Sequence, residues 1–194
     1  MVDRNPELGL EQVRALTHPL RIAILRALRS HGPATATALG KRLNESSGSM
    51  SYHLRQLEKH GFVEEVPDSG DGRDRWWRPA FGGHKVEPAR WVDDPEPRAI
   101  VGVYQQHVVA NHHERAAAFV TQQTAGEWSR DWVEAADMSD FRLRLTPAQL
   151  MRLHQRIHAL VESFGKYDSP GAVDVTVQVE AFPLRTRPFT EEES

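Results

Sequence analysis

The chain has 194 residues, 26% charged and 39% hydrophobic, with a formal net charge of -3 and no cysteine. The missing thiols exclude disulfides and every thiolate metal or redox site. No apolar run approaches the ~20 residues that span a bilayer, and the opening MVDRNPELGL lacks the basic-then-apolar pattern of a secretory signal, so the expectation is a cytoplasmic globular protein with room for one large or two small domains.

The charge is unevenly spread. Residues 1–92 hold 14 Lys+Arg against 11 Asp+Glu, and residues 93–194 hold 10 against 16. An anionic partner would therefore meet the first half.

From Leu10 to His60 the apolar residues recur at helical steps. Val13, Leu16, Leu20, Ile24, Leu25 and Leu28 open the pattern, and His18-Pro19 marks a helix start with proline at its first position. Gly32-Pro33 stops that helix. A second short helix follows, capped by Thr35 and carrying Ala38, Leu39 and Leu43. Ser46 then caps a third, with Met50, Leu54 and Leu57 on its buried side, ending at His60-Gly61. There the period changes. Phe62 to Val66 is a short β-like run, PDSGDG is a string of turn residues, and Arg75 to Arg78 is a return strand. Helix, helix, turn, helix and hairpin is the order of a winged helix-turn-helix.

Asp93 to Pro97 reads as a linker, and Arg98 to about Ala125 as one long helix. Trp128, Trp132, Val133 and Ala136 mark a shorter helix. Phe141, Leu143 and Leu145 alternate with Arg142 and Arg144, as in a half-buried strand. Thr146-Pro147-Ala148-Gln149 is a capping box that opens a helix bearing Leu150, Leu153, Ile157, Leu160, Val161 and Phe164. Val173, Val175, Val177 and Val179 alternate again. The fold class expected is mainly α with α+β: a winged helix-turn-helix over 1–92, a linker and long dimerisation helix over 93–125, a strand-helix-strand module over 126–185, and a tail over 186–194.

The stretch SSGSMSYHLRQLEKHGFVEEVPDSGDGRDRWWRPA, with ALTHPLRIAILRALRSHGPATATALGKRL before it, resembles the ArsR-type winged-helix repressors. The likeness is closest to a branch common in actinobacteria, and RLRLTPAQL and VQVEAFP extend it into the C-terminal part. The resemblance implies a homodimeric repressor that binds double-stranded DNA at an inverted repeat.

The residue chemistry points the same way. A recognition helix presents short polar groups to the major groove from its first turns, where backbone amides and the dipole also favour phosphate. Ser46, Ser47, Ser49 and Ser51 lie in those turns, and Tyr52, His53, Arg55 and Gln56 add reach. Arg55 or Gln56 suits bidentate base contact, and the serines suit backbone positioning or simple capping. His53 has two readings, base contact or local packing. Arg73 and Arg75 flank the wing turn. Trp76 and Trp77 must face opposite sides of the hairpin, and likeness to family wing strands assigns Trp77 inward and Trp76 outward.

Histidines leave a second reading open, a metal-responsive regulator. His107, His112, His113 and Glu114 share the long helix, and His154 and His158 are four apart, a spacing that suits zinc. Two ligands do not make a site, and the zinc-sensing pattern of the ArsR type is not matched. A winged helix used only for protein contacts is a third reading. No nucleophile elbow, P-loop or paired-carboxylate signature is present, so an enzyme is not expected. The C-terminal module, with Trp128, Trp132, Phe141 and Phe164, either encloses an apolar small-molecule effector or widens the dimer.

Overall fold

The structure, a computed structural model, describes residues 6–67, 75–165 and 169–184. Two compact units divide the chain, residues 1–119 and 120–194.

The first unit opens with α1 (Leu10–Ala15), α2 (Pro19–His31), β1 (Ala34–Thr35), α3 (Ala36–Leu43) and α4 (Ser47–Lys59). Then come β2 (Val63–Val66), β3 (Trp76–Pro79), a 3-10 turn at Pro88–Trp91 and α5 (Pro95–Thr124), whose last residues enter the second unit. The helix starts follow the caps read from the sequence. The His18 ring accepts from the Leu20 amide at 3.2 Å with Pro19 behind it, the Thr35 hydroxyl accepts from Ala38, and the Ser46 hydroxyl accepts from Ser49, both at 3.1 Å. Leu8, Val13, Leu16, Ile24, Leu28, Leu39, Met50, Leu54, Leu57 and Phe62 are fully buried together, forming one core.

Two backbone devices set the angle of α4. The turn from α3 uses Asn44 in the left-handed region, φ 55°, a conformation that asparagine tolerates. Gly40 lies beneath it: a Cβ there would sit 2.7 Å from the Glu45 carbonyl oxygen. At the other end, Gly61 takes φ +75°, its amide donates to Glu58 O and the Phe62 amide donates to Leu57 O. That paired bonding is a Schellman cap. It turns the chain straight from α4 into β2.

The sheet has the order β1-β3-β2, antiparallel throughout, with Thr35 opposite Trp76 and Glu65 opposite Trp77. The hairpin expected from the sequence is therefore the outer part of a three-stranded sheet, with β1 as its third strand. Trp77 is buried and Trp76 half-buried, so the expected sidedness of the pair is correct.

The segment read as a linker opens α5 instead. Asp94 Oδ1 accepts from the Glu96 amide at 3.2 Å and Pro95 occupies the first helical position, which is a cap followed by a favoured N1 residue.

The second unit contains α6 (Arg130–Ala135) and α7 (Pro147–Phe164), besides the end of α5. The capping box at α7 forms as expected: Thr146 Oγ1 accepts from the Gln149 amide at 3.3 Å and Gln149 Oε1 accepts from the Thr146 amide at 2.8 Å. The segments 141–145 and 173–179 run without a β-ladder among the described residues, so the strands expected on either side of α7 are not formed there. Alternation marks a face that favours burial, but a strand also needs a partner for its amides and carbonyls. Among the described residues no helix is long and apolar enough to cross a membrane.

Candidate nucleic-acid interface

Helix α4 divides cleanly by face. Met50, His53, Leu54 and Leu57 point into the core. Ser47, Gly48, Tyr52 and Arg55 are exposed along the opposite side, and Ser49, Ser51 and Gln56 lie at its margins, half-buried. Ser46 is exposed just ahead of the helix, with its hydroxyl engaged as the cap. Arg55 donates from Nε to the Ser51 carbonyl at 3.1 Å. That bond ties the side chain back to the preceding turn of its own helix.

The structure takes His53 off the expected interface. Its ring is 8% exposed and stacks on His18 with centroids 4.4 Å apart. The reason is periodic: position 53 lies on the 50, 54, 57 stripe. Burial lowers the pKa of both histidines, with the Arg21 charge adding to it and, for His53, the neighbouring His18 as well. Burial therefore favours the neutral form of both rings. The pair ties the start of α2 to the middle of α4 and so fixes the recognition face from behind.

In the sheet, Arg75 is exposed and stands 3.8 Å from Glu65, and Arg78 Nε donates to Glu64 Oε1 at 2.8 Å. The looser contact leaves Arg75 available to an outside anion, whereas Arg78 is committed to its cross-strand partner. Arg73 lies outside the described residues. Lys41 and Arg42 in the last turn of α3 are exposed beside the turn into α4, and extend the positive surface beyond the residues singled out from the sequence. Their signal was the KR pair just before the turn.

Behind the interface, α5 is held against α2. Arg26 donates to Asn111 Oδ1 at 2.7 Å and to Glu114 Oε2 at 2.6 Å, and the His107 ring donates to the Thr17 carbonyl at 3.1 Å. Two members of the histidine-carboxylate set on the long helix are thus engaged in holding the fold. His84 packs against Phe62 and Phe81, and its Nε2 meets the Tyr104 hydroxyl at 2.8 Å. Burial, helped by Arg29, lowers the His84 pKa to about 4. No local pattern in the sequence singles out this pair.

In the second unit His154 and His158 bring their Nε2 atoms within 2.6 Å, both on the exposed side of α7. Among the described residues no group of three or more histidines and carboxylates is placed to hold a metal ion. Trp128 and Trp132 meet edge to face at 6.5 Å, while Phe141 and Phe164 are exposed.

Residues 16–66 match the family model described as a helix-turn-helix domain, which spans α2 through β2. No curated protein matches the chain. Among solved structures it is similar to a double mutant of Lactococcus lactis ZitR in apo form, at 18% identity over 76% of this chain and 83% of that one, with a TM-score of 0.34. The adhesin competence repressor of Streptococcus pyogenes matches at 15% identity over 76% and 81%, TM-score 0.32. A MarR family regulator from Neisseria meningitidis matches at 16% identity over 76% and 75%, TM-score 0.31. Likeness at this level carries neither family nor function to this chain.

Proposed function

We propose that this protein is a sequence-specific DNA-binding transcriptional regulator, working as a homodimeric repressor of the ArsR type on an inverted-repeat operator. The observation that carries the reading is α4. Its exposed side holds small hydroxyls, a tyrosine and an arginine, and its other side is packed rigidly into the core. A helix so presented fits the major groove, with Arg55 and Gln56 reading base edges and Ser46, Ser47, Ser49, Ser51 and Tyr52 positioning the backbone. Arg73 and Arg75 bring the wing to the phosphates or the minor groove, and Lys41 and Arg42 add phosphate contacts from α3.

Two copies related by a two-fold axis would place their α4 helices one DNA turn, about 34 Å, apart. An effector would act by favouring one spacing of those helices over another. The ArsR assignment rests on the sequence resemblance, and the DNA-binding reading on the helix-turn-helix match together with the faces of α4 and β3.

Fluorescence anisotropy with a genomic upstream duplex at a series of salt concentrations tests this. Binding that weakens steeply with salt, and weakens further in an Arg55→Ala and Tyr52→Ala double variant, supports the reading. Absence of duplex binding even at low salt would contradict it and favour a winged helix that contacts protein.

A further inference from the structure

We infer that the cleft between α2 and residues 107–114 of α5 is a binding site for a small organic carboxylate, with Arg26 as its anchor. The two helices leave a cavity of about 190 Å³ between them. Ile22 and Ala23 from α2 and Ala110 from α5 give it an apolar wall, and Arg26, His107 and Glu114 bring polar groups to it. That volume lies below the ~300 Å³ at which drug-sized pockets begin. The occupant is therefore a molecule of a few carbons.

The charge of the occupant follows from the hydrogen bonds. Arg26 commits one nitrogen to the protein: Nη1 donates to Asn111 Oδ1 at 2.7 Å and to Glu114 Oε2 at 2.6 Å. Its Nε and Nη2 have no partner among the described residues, although the side chain is only 36% exposed. Those two nitrogens form the edge of the guanidinium that takes a carboxylate through two parallel bonds. Among the described residues Glu114 is the one carboxylate lining the cleft, and it is already engaged by Arg26. The open capacity of the cleft is cationic, and partial burial strengthens its pairing with an anion.

His107 adds selectivity. Its Nε2 donates to the Thr17 carbonyl at 3.1 Å, which leaves the lone pair of Nδ1 in the neutral ring as an acceptor. His107, Asn111 and Glu114 follow four- and three-residue steps and so share one side of α5. An acid that also carries a hydroxyl or N–H group finds a second contact there. The position of the cleft gives it a regulatory use, which rests on the regulator proposed above. Arg26 ties α2 to α5, and a carboxylate on its free edge competes with Glu114 for the same charge. Loosening that tie shifts α2, whose core packing carries α4, against the long helix.

Heteronuclear NMR of the full chain, titrated with two- to eight-carbon carboxylic acids and their neutral primary amides, tests the site. At least one acid should shift the resonances around Arg26 and His107 saturably, with its amide bound at least tenfold more weakly. Arg26→Lys keeps the charge but loses the planar edge, and should weaken that acid at least tenfold. Glu114→Gln removes the competing carboxylate and should tighten the acid at least threefold, an effect that mere loss of helix contact would not produce. Acids that shift nothing, amides that bind as well as acids, or weaker acid binding by the Glu114→Gln chain would each overturn the inference. For the regulatory use, the saturating acid should change duplex affinity at least fivefold, and an unchanged affinity would overturn it. A chain that binds the acid but no duplex refutes the regulator reading and leaves the site standing, so the two failures are distinguishable.

Discussion

Arg55 and Arg75 are two arginines with different surroundings, and the difference predicts different losses. Arg55 projects from the exposed side of α4 with only its Nε engaged. Arg55→Ala should relax discrimination at one base pair of each half-site by about 1–3 kcal/mol. Arg75, loosely held by Glu65, should act on phosphate. Arg75→Ala should weaken all duplexes alike and reduce the slope of log affinity against log salt by about 1. An unchanged salt slope in that variant would remove the wing from the interface.

His84 yields a pH prediction. Its pKa falls from an ordinary 6.5 to about 4. Between those values the unfolded chain binds a proton that the folded chain refuses. The stability present above pH 6.5 is therefore lost as pH falls toward 4, by on the order of 3 kcal/mol. His18 and His53 shift in the same direction and add to the trend. Thermal melts of wild type and His84→Gln between pH 7 and 4.5 should show a shallower decline in the variant. Parallel curves would contradict this assignment. At this scale the sequence was legible where a residue follows the period of its own helix. Position 53 lies on the buried stripe of α4, and only its polar side chain suggested otherwise. The His84–Tyr104 contact joins residues twenty apart across tertiary structure, and no local pattern announces it.

Among the elements, the turn between α3 and α4 controls the angle of the recognition helix. A methyl group on Gly40 would strike the Glu45 carbonyl oxygen, whereas one on Gly48 meets nothing closer than Ser46 Oγ at 3.9 Å. Gly40→Ala should therefore destabilise by on the order of 2 kcal/mol through forced backbone movement. Gly48→Ala, inside a helix with room, should be neutral or stabilise by up to about 1 kcal/mol. Melting temperatures of the two variants check the pair, and equal shifts would contradict the geometry. Caps were the most legible element signal: His18-Pro19, Thr35, Ser46 and the Thr146–Gln149 box all form. The two-residue β1 is too short to alternate, and it appears only because β3 lies beside it. Asp94-Pro95 carried a helix-start signal that its acidic, proline-rich surroundings disguised as a linker. The alternation in 141–145 and 173–179 states which side favours burial and is silent about the strand that would pair with it.

For the whole molecule, the division of labour follows from where the core sits. The unit holding residues 16–66 contains the buried core of the described residues, and its recognition face is braced by α2, the sheet and the first part of α5. In the proposed homodimer, two identical reading heads require a two-fold operator. The most direct test is selection of bound duplexes from a random pool by the purified full-length chain. The account predicts enrichment of an inverted repeat whose half-site centres lie 10–11 base pairs, or a multiple of that, apart, with the preference relaxed at one base pair of each half-site in the Arg55→Ala chain. Recovery of an unenriched pool at low salt would contradict it.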